Sequence, residues 1–229
     1  AAVPRLVNGY DEQAMEAALR IRDAGVDCRI VAVSIGTDAK NVLKHCAALG
    51  ADEIVAIAPG AGELDGNGLA NILAAYVKNS GGADLILCGR QASDDDQGVV
   101  PILLAEKLRM PVAPLARAAT VSGTTLTVTR VTPDGDEVVE GQLPAVVTVS
   151  NEIGVPRFPS AKAKMAARKM VPVEMTIDSL GLDGSALTAE VVLTRQFVPT
   201  VQGNCEFLTG SPAEVAQQLL ARLRADKTL

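Results

Sequence analysis

Aromatic side chains are scarce in this sequence. They make up 2% of the residues, and tryptophan is absent. Because 48% of the residues are hydrophobic, alanine, valine, leucine and isoleucine must supply the core. This composition argues against a ligand surface built from stacked aromatic rings.

Basic residues and long apolar runs are also lacking. The 21 lysines and arginines are outnumbered by 27 aspartates and glutamates, which leaves a net charge of −6. This balance argues against nucleic-acid binding, for which clustered lysine and arginine supply most of the affinity. No apolar run approaches the ~18–20 residues that cross a bilayer, so no membrane insertion is expected. No signal peptide is visible at the start as given, and a cytoplasmic location is predicted.

Cysteine and histidine form no recognisable reactive constellation. Cys28, Cys46, Cys88 and Cys205 contain no C-x-x-C pair, so the sequence supports neither a zinc site nor a redox motif. His45, the single histidine, lies in a helical pattern, where a structural role is the commoner one. Neither catalytic residues nor metal ligands are predicted.

Strand and helix patterns alternate up to residue 110. Apolar residues at helical spacing mark four segments, and short runs rich in valine, isoleucine and leucine mark three strands. The helical segments are 11–24, 38–50, 65–82 and 100–110, and the strands are 28–36, 52–58 and 83–89. This alternation is typical of a Rossmann-like, doubly wound α/β fold, and it predicts one parallel sheet.

The pattern changes after residue 111. Residues 124–150 are rich in β-branched side chains around the sequence PDG at 133–135, which predicts an appended antiparallel β-hairpin. Residues 151–180 show no strong period. The segment 211–227, "SPAEVAQQLLARLRADK", predicts a final helix with a capping box.

Two domains are expected from these patterns. Residues 1–155 would form a nucleotide-binding α/β domain, and residues 156–229 would form an arm that contacts a partner subunit. Three prolines between residues 151 and 180 leave this stretch little packing of its own. The basic run within 162–169 suits an acidic partner or a solvated face. The final helix has an apolar stripe that must be covered: Val215, Leu219, Leu220 and Leu223.

The strongest candidate site lies in "LILCGRQASDDDQGVVPILLAEKL", residues 85–108. In an open α/β sheet, ligands bind beyond the carboxyl ends of the strands, where residues 89–100 would lie. The amide groups of Gly98, Val99 and Val100 stand at the start of a helix and have no intrahelical acceptor. Because glycine permits close approach, these groups predict a site for a nucleotide phosphate.

The consecutive aspartates of this loop, Asp94, Asp95 and Asp96, leave several alternatives open. One carboxylate could cap the helix, one could accept a ribose hydroxyl, and one could bind a partner. All three could instead form a capping and solubilising cluster. A magnesium site is a weaker alternative, because consecutive carboxylates cannot all point at one ion.

Two further turns are expected at the same sheet edge. "VNGYDEQA" begins a helix with Asn8 and Asp11 near its N-terminus, and "AVSIGTDAK" joins a strand to a helix at Gly36. Each has an ordinary capping interpretation, and each could instead form a wall of a nucleotide crevice. Neither a G-x-G-x-x-G sequence nor a Walker motif is present.

The order and spacing of four segments resemble the small (β) subunit of electron-transfer flavoproteins. These segments are "VNGYDEQAMEAALRIRDAG", "ALGADEIVAI", "LCGRQASDDDQGVVPILLAEKL" and "LPAVVTVSNEIGVPRFPSAKAKMAARK". The resemblance covers nearly the whole chain. It implies an electron carrier, rather than an enzyme with its own substrate, that works with a larger α subunit and a dehydrogenase electron donor.

The resemblance also implies two cofactors and their contacts. The redox-active FAD would lie mainly on the α subunit, and AMP or a second FAD would bind in the adenine-nucleotide-binding α/β domain of this chain. The family's nucleotide contacts carry over onto the following residues: Asn8, Gly9, Tyr10, Asp11, Ile35, Gly89, Arg90, Gln91, Ala92, Asp94, Asp95, Asp96, Gln97, Gly98, Val99 and Val100.

The sequence departs from the family pattern at four places. The family begins with a strand ahead of "VNGYDEQA" that is not in this sequence, so either the sequence is trimmed or a central strand is missing. "GVVP" at 98–101 removes side-chain phosphate contacts that several members make. Val131 replaces an acidic residue near the flavin, and Ala161 replaces the apolar anchor of members that bind acyl-CoA dehydrogenases.

Two other classes of protein remain as alternatives. A stand-alone adenine-nucleotide-binding regulatory module of the stress-protein type would share the α/β domain, but it would not need the C-terminal arm. An adenylating hydrolase would need a catalytic lysine, histidine or metal constellation, whereas only Arg90 and the aspartates lie in the loop.

Overall fold

The computed structural model describes residues 5–60, 62, 64–200, 203 and 205–228. The helices of these residues are α1 (Gly9–Asp23), α2 (Ala39–Leu49), α3 (Gly66–Asn79), α4 (Val100–Leu108), α5 (Ala161–Lys169) and α6 (Pro212–Ala225). The strands are β1 (Val31–Ile35), β2 (Glu53–Ile57), β3 (Leu85–Gly89), β4 (Val112–Ser122), β5 (Thr125–Thr132), β6 (Gly135–Gln142), β7 (Ala145–Val149) and β8 (Val173–Met175).

The strands form two sheets. The three-stranded sheet has the order β1-β2-β8, and all its pairs are parallel. The five-stranded sheet has the order β3-β7-β4-β5-β6. In this second sheet β7 pairs in parallel with β3 on one side and with β4 on the other. The β4–β5 and β5–β6 pairs are antiparallel. The predicted α/β class with parallel strands and flanking helices is confirmed.

The strands before residue 110 are divided between the two sheets rather than united in one. β1 pairs with β2, but β3 pairs with β7. Helix α1 contacts both groups of strands, because its faces enter two hydrophobic clusters. Ala14 and Ala17 pack with residues of β4, β5 and β7, whereas Met15 and Leu19 pack with β2 and α2.

The predicted hairpin region contributes two kinds of strand. β5 and β6 form the antiparallel hairpin, with Thr132 opposite Gly135 at its turn. β7 instead lies in the interior of the five-stranded sheet, and every one of its residues is buried. A continuous apolar run such as "AVVTV" suits a parallel strand that is covered on both faces. The long strand β4 was not predicted.

Residues 151–180 are more ordered than their composition suggests. Helix α5 packs against α2, and β8 extends the three-stranded sheet. Ile177 and Leu180 are buried in the cluster that contains Val55 and Ile57. These long-range contacts bring the segment into the first compact unit, Ala1–Val192.

The second compact unit is Leu193–Leu229. Its helix α6 begins with the predicted capping box, formed by Ser211 and Glu214. None of the residues of α6 is buried within this chain. No helix of the described residues is long and apolar enough to cross a bilayer.

Candidate functional site

The start of α1 meets the loop that follows β3. A Cβ atom on Gly89, the last residue of β3, would lie 2.7 Å from the carbonyl carbon of Tyr10. The other end of α1 lies just before β2, where Arg22 donates a hydrogen bond to the carbonyl oxygen of Gly50. Helix α1 therefore runs from the carboxyl ends of the parallel strands towards their amino ends. This direction places Ile35, at the end of β1, at the same edge as Gly89.

Asn8 and Asp11 hydrogen-bond to the first residues of this loop. The Oδ1 atom of Asp11 accepts from the amide of Gly89 at 2.7 Å. The Nδ2 group of Asn8 donates to the carbonyl oxygen of Gln91 at 2.8 Å, and its Oδ1 atom accepts from the amide of Ser93 at 3.2 Å. The position of the loop relative to the sheet is therefore set by the first turn of α1.

Two of the three loop aspartates stabilise the loop from within. Asp96 Oδ1 accepts a hydrogen bond from Gln91 Nε2 at 2.7 Å, and Asp95 Oδ1 accepts from the amide of Gln97 at 3.2 Å. The side chain of Asp94 is exposed and makes no hydrogen bond to the described residues. Asp95 and Asp96 therefore stabilise the conformation of the loop. Of the three aspartates, Asp94 is the one whose side chain has no hydrogen-bond partner among the described residues.

The start of α4 leaves main-chain donors free. Its N-cap residue, Val99, provides no side-chain cap, and Pro101 follows at the first turn. Gly98 has a left-handed backbone with φ of 65°, a conformation that glycine adopts without strain. In the described part of the chain, the amides of Gly98, Val99 and Val100 donate no hydrogen bond to a loop or a side chain. None of the aspartates therefore caps this helix.

Arg90 supplies the positive charge of the loop. Its guanidinium carbon lies 5.2 Å from the centre of the Tyr10 ring, and its Nε donates to Gln91 Oε1 at 3.0 Å. Its Nη1 lies 3.5 Å from the hydroxyl oxygen of Ser150, which is only 1% exposed and also hydrogen-bonds Glu152. The bond from Ser150 is the main reason that the pKa of Glu152 lies below its ordinary value. A carboxylate therefore faces the arginine at this edge.

A groove in the described part of the chain lies away from this loop. This groove, of about 400 Å³, runs along α3 and α4, with Lys78 and Lys107 among its lining residues. None of its lining residues belongs to the loop. Among the described residues, no group of three or more histidines, cysteines or acidic residues is arranged to hold a metal ion. The candidate site is therefore the loop at the end of β3, which carries both Arg90 and the free main-chain donors at the start of α4.

Comparison with known proteins gives the family. The model of the electron transfer flavoprotein domain matches residues 1–180. Subunit CarD of the caffeyl-CoA reductase-Etf complex of Acetobacterium woodii is 33% identical over 228 residues, which are 97% of this chain and 87% of that protein. The chain belongs to the electron transfer flavoprotein family.

Other members of the electron transfer flavoprotein family give the subunit type. The beta subunit from Thermoanaerobacterium thermosaccharolyticum is 33% identical over 233 residues, which cover 97% of this chain and 87% of that protein. The beta subunit from Megasphaera elsdenii is 34% identical over 209 residues, with 85% and 77% covered. The predicted identity, a beta subunit of this family, is confirmed, and flavin-associated electron transfer follows from it.

Not all the residues expected at the electron transfer flavoprotein site come together. Asn8, Tyr10 and Asp11 lie against the loop from Gly89 onwards. Ile35 belongs to the other sheet and is only partly buried beside the cluster of Val55, Ile57 and Ile72. Ile35 and the loop are therefore carried by different sheets, and only the loop is hydrogen-bonded to the start of α1.

Sequence reasoning missed Ser150, which meets Arg90 just after β7, and Glu152, which accepts a hydrogen bond from Ser150. The buried apolar run of β7 could have placed Ser150 at the carboxyl edge, had it been recognised as a central strand. It also missed Leu115, whose φ is 61° in the middle of β4 and whose amide donates to Thr148 Oγ1 at 2.9 Å. No sequence signal marks that strained residue.

Proposed function

We propose that this chain is the β subunit of a heterodimeric electron-transfer flavoprotein that carries electrons from a dehydrogenase to a downstream acceptor. The redox-active FAD lies mainly on the α subunit, with this chain covering one side. An adenine nucleotide, AMP or a second FAD, binds within this chain. Membership of the family supports the carrier role, and the loop after β3 supports the nucleotide.

The observation that carries the nucleotide proposal is the free amide group of three consecutive residues at the start of α4. Gly98, Val99 and Val100 point main-chain donors away from the helix, where the helix dipole favours an anion. Arg90 adds a positive charge that Tyr10 and Ser150 hold in place. The proposed contacts are the residues expected from the sequence: Asn8 to Asp11, Ile35, and Gly89 to Val100 without Ser93.

Purification with and without an α subunit tests the proposal. The complex should show a flavin absorption spectrum, and acid extraction should release AMP or FAD in addition to the redox-active FAD. The chain alone should hold no tightly bound redox-active flavin, because that site needs the second subunit. A complex that releases one FAD and no second adenine nucleotide would contradict the nucleotide site, and a flavin held tightly by the chain alone would contradict the shared flavin site.

Residues 193–229 are proposed to contact the α subunit. No residue of α6 is buried, and Phe207 and Leu219 are 85% and 49% exposed. An exposed apolar stripe on a helix is expected to be covered by a partner. The capping box shows that α6 is nonetheless encoded as a helix.

Truncation after Val192 tests this contact. The cut keeps α5 and β8, which pack on the first compact unit, so the truncated chain should remain folded. It should lose association with the α subunit in co-purification and size-exclusion chromatography. A chain cut after Asp226, which keeps α6, is the matched control and should associate normally. Full recovery of the complex with the shorter chain would contradict the proposal.

The donor face and the location are proposed from the charge of α5 and from the state of the cysteines. The basic side chains of α5, among them Lys162 and Lys164, are exposed and suit an acidic surface of a dehydrogenase. The four cysteines, Cys28, Cys46, Cys88 and Cys205, are free thiols, which suits the reducing cytoplasm. Stimulated reduction of the complex by a candidate dehydrogenase, weakened by charge reversal at Lys162 and Lys164, would identify the donor face.

A further inference from the structure

The side chain of Asn8 does not cap the amides of its own helix. Asn8 is the N-cap residue of α1, where asparagine ordinarily accepts a hydrogen bond from an amide of the first turn. Here the side chain makes no capping hydrogen bond. Its Oδ1 atom accepts instead from the amide of Ser93, 85 residues further along the chain. The oxygen that would ordinarily cap α1 therefore binds the loop instead.

The hydrogen-bonding capacity of both side chains is largely used within the protein. An asparagine amide has two N–H donors, and those of Asn8 go to the carbonyl oxygen of Gln91 at 2.8 Å and to Asp11 Oδ2 at 2.9 Å. The other carboxylate oxygen of Asp11 accepts from Gly89 at 2.7 Å. No donor of Asn8 remains for a ligand.

The backbone geometry leaves the loop close to α1. A Cβ atom on Gly89 would lie 2.7 Å from the Tyr10 carbonyl carbon and 2.8 Å from the Asp11 nitrogen. Short side chains can therefore bridge the two segments directly. Helix α1 is itself anchored, because residues such as Ala17 and Leu19 are almost completely buried. The loop thus takes its position from a packed element rather than from the ligand.

We propose that Asn8 and Asp11 are positioning residues of the nucleotide site, which hold the loop from Gly89 to Ser93 in its binding conformation before the nucleotide arrives. This inference rests on the proposed function and refines it. The side chains of Asn8 and Asp11 act through the loop, so any contact of these two residues with the nucleotide is made by their main-chain groups, as are the contacts of the loop and of the α4 start. A preformed loop lowers the ordering cost of binding.

Amide hydrogen exchange of the nucleotide-free full chain tests the proposal directly. The Asn8→Ala and Asp11→Ala variants should each raise exchange at Gly89 to Ser93 about tenfold and weaken AMP affinity by a similar factor, because each loses bonds from one network. The double variant should resemble the single variants, because the two residues are bonded to each other. Asp94→Ala removes a neighbouring carboxylate without a partner and should leave loop exchange unchanged.

Several outcomes would overturn the proposal. Weaker AMP binding with unchanged exchange in the nucleotide-free chain would show that the side chains contact the nucleotide. Asp11→Asn keeps an oxygen for the Gly89 amide, so it should retain most of the loop protection; a loss equal to that of Asp11→Ala would contradict the hydrogen-bond argument. If the unaltered chain binds no AMP while the exchange differences persist, the proposed nucleotide site fails and the positioning of the loop stands.

Discussion

Replacing the buried carboxylate of Glu16 with glutamine should destabilise the protein in a pH-dependent way. The Glu16 side chain is only 6% exposed and lies on α1. Its Oε2 atom accepts from Arg157 Nε at 2.8 Å, and its Oε1 atom accepts from Arg20 Nε at 2.9 Å. Arg157 also pairs with Asp23 at 2.7 Å. This network fastens the segment before α5 to α1.

The magnitude follows from the pKa of Glu16. Burial by itself raises this pKa, but the hydrogen bonds from Arg157 and Arg20 outweigh it and lower the pKa from 4.5 to about 2. That difference corresponds to about 3 kcal/mol of folding stability. Because the folded pKa is depressed, this stability is present above pH 4.5 and is lost as the pH falls towards 2.

Urea unfolding of the full chain at pH 7 and pH 3 measures the effect. Glu16→Gln should lower the free energy of unfolding by about 3 kcal/mol at pH 7. At pH 3, where part of the stabilisation by the ionised carboxylate has already been lost, the decrease should be about 1 kcal/mol. Glu174→Gln is the control, since Glu174 pairs with Lys40 on the surface and is 60% exposed. It should cost at most about 1 kcal/mol. An equal loss for Glu16→Gln at both pH values would refute the electrostatic reasoning and point to packing alone.

Two further predictions concern the loop and the segment before Leu193. Gly98→Val should reduce retention of the adenine nucleotide at least tenfold, because a side chain there would crowd the loop near the Arg90 carbonyl oxygen and the phosphate. Gly123→Val, with a similar φ of 59° but open space around it, should leave retention unchanged and so controls for backbone strain. Asp65 caps α3 and also accepts from the amide of Glu190 at 2.7 Å, so Asp65→Ala should raise amide exchange at residue 190 about tenfold. Unaltered exchange at that amide would show that the segment is held by its apolar contacts instead.

The network of Glu16 also fastens the residues around Arg157 to α1, far from it in the chain. Arg157 reaches a partner 141 residues earlier in the chain, and Arg20 donates to the carbonyl oxygen of Ile153 at 2.7 Å. These contacts bring the segment around the prolines onto α1. The sequence of this segment shows only weak periodicity. Ion pairs between residues far apart in the chain produce no periodic pattern, so the sequence did not predict these contacts.

The sequence by itself determined the elements whose signals are local. Apolar spacing identified α1 to α4, the PDG turn identified the β5–β6 hairpin, and the capping box identified the start of α6. The order of four motifs identified the family. The signals for the helices, the turn and the cap depend on residues within a few positions of one another, so each can be recognised without knowing what lies beside it.

Only the tertiary structure decided how these elements pair and which side chains meet at the site. It placed β7 between β3 and β4, and so brought Ser150 to Arg90. It also showed that Asn8 and Asp11, which are capping candidates in the sequence, hydrogen-bond to a loop that begins 78 residues after Asp11. Strand pairing and buried hydrogen bonds are chosen by competition among all segments of the chain for the same core, and a local pattern does not contain the outcome of that competition.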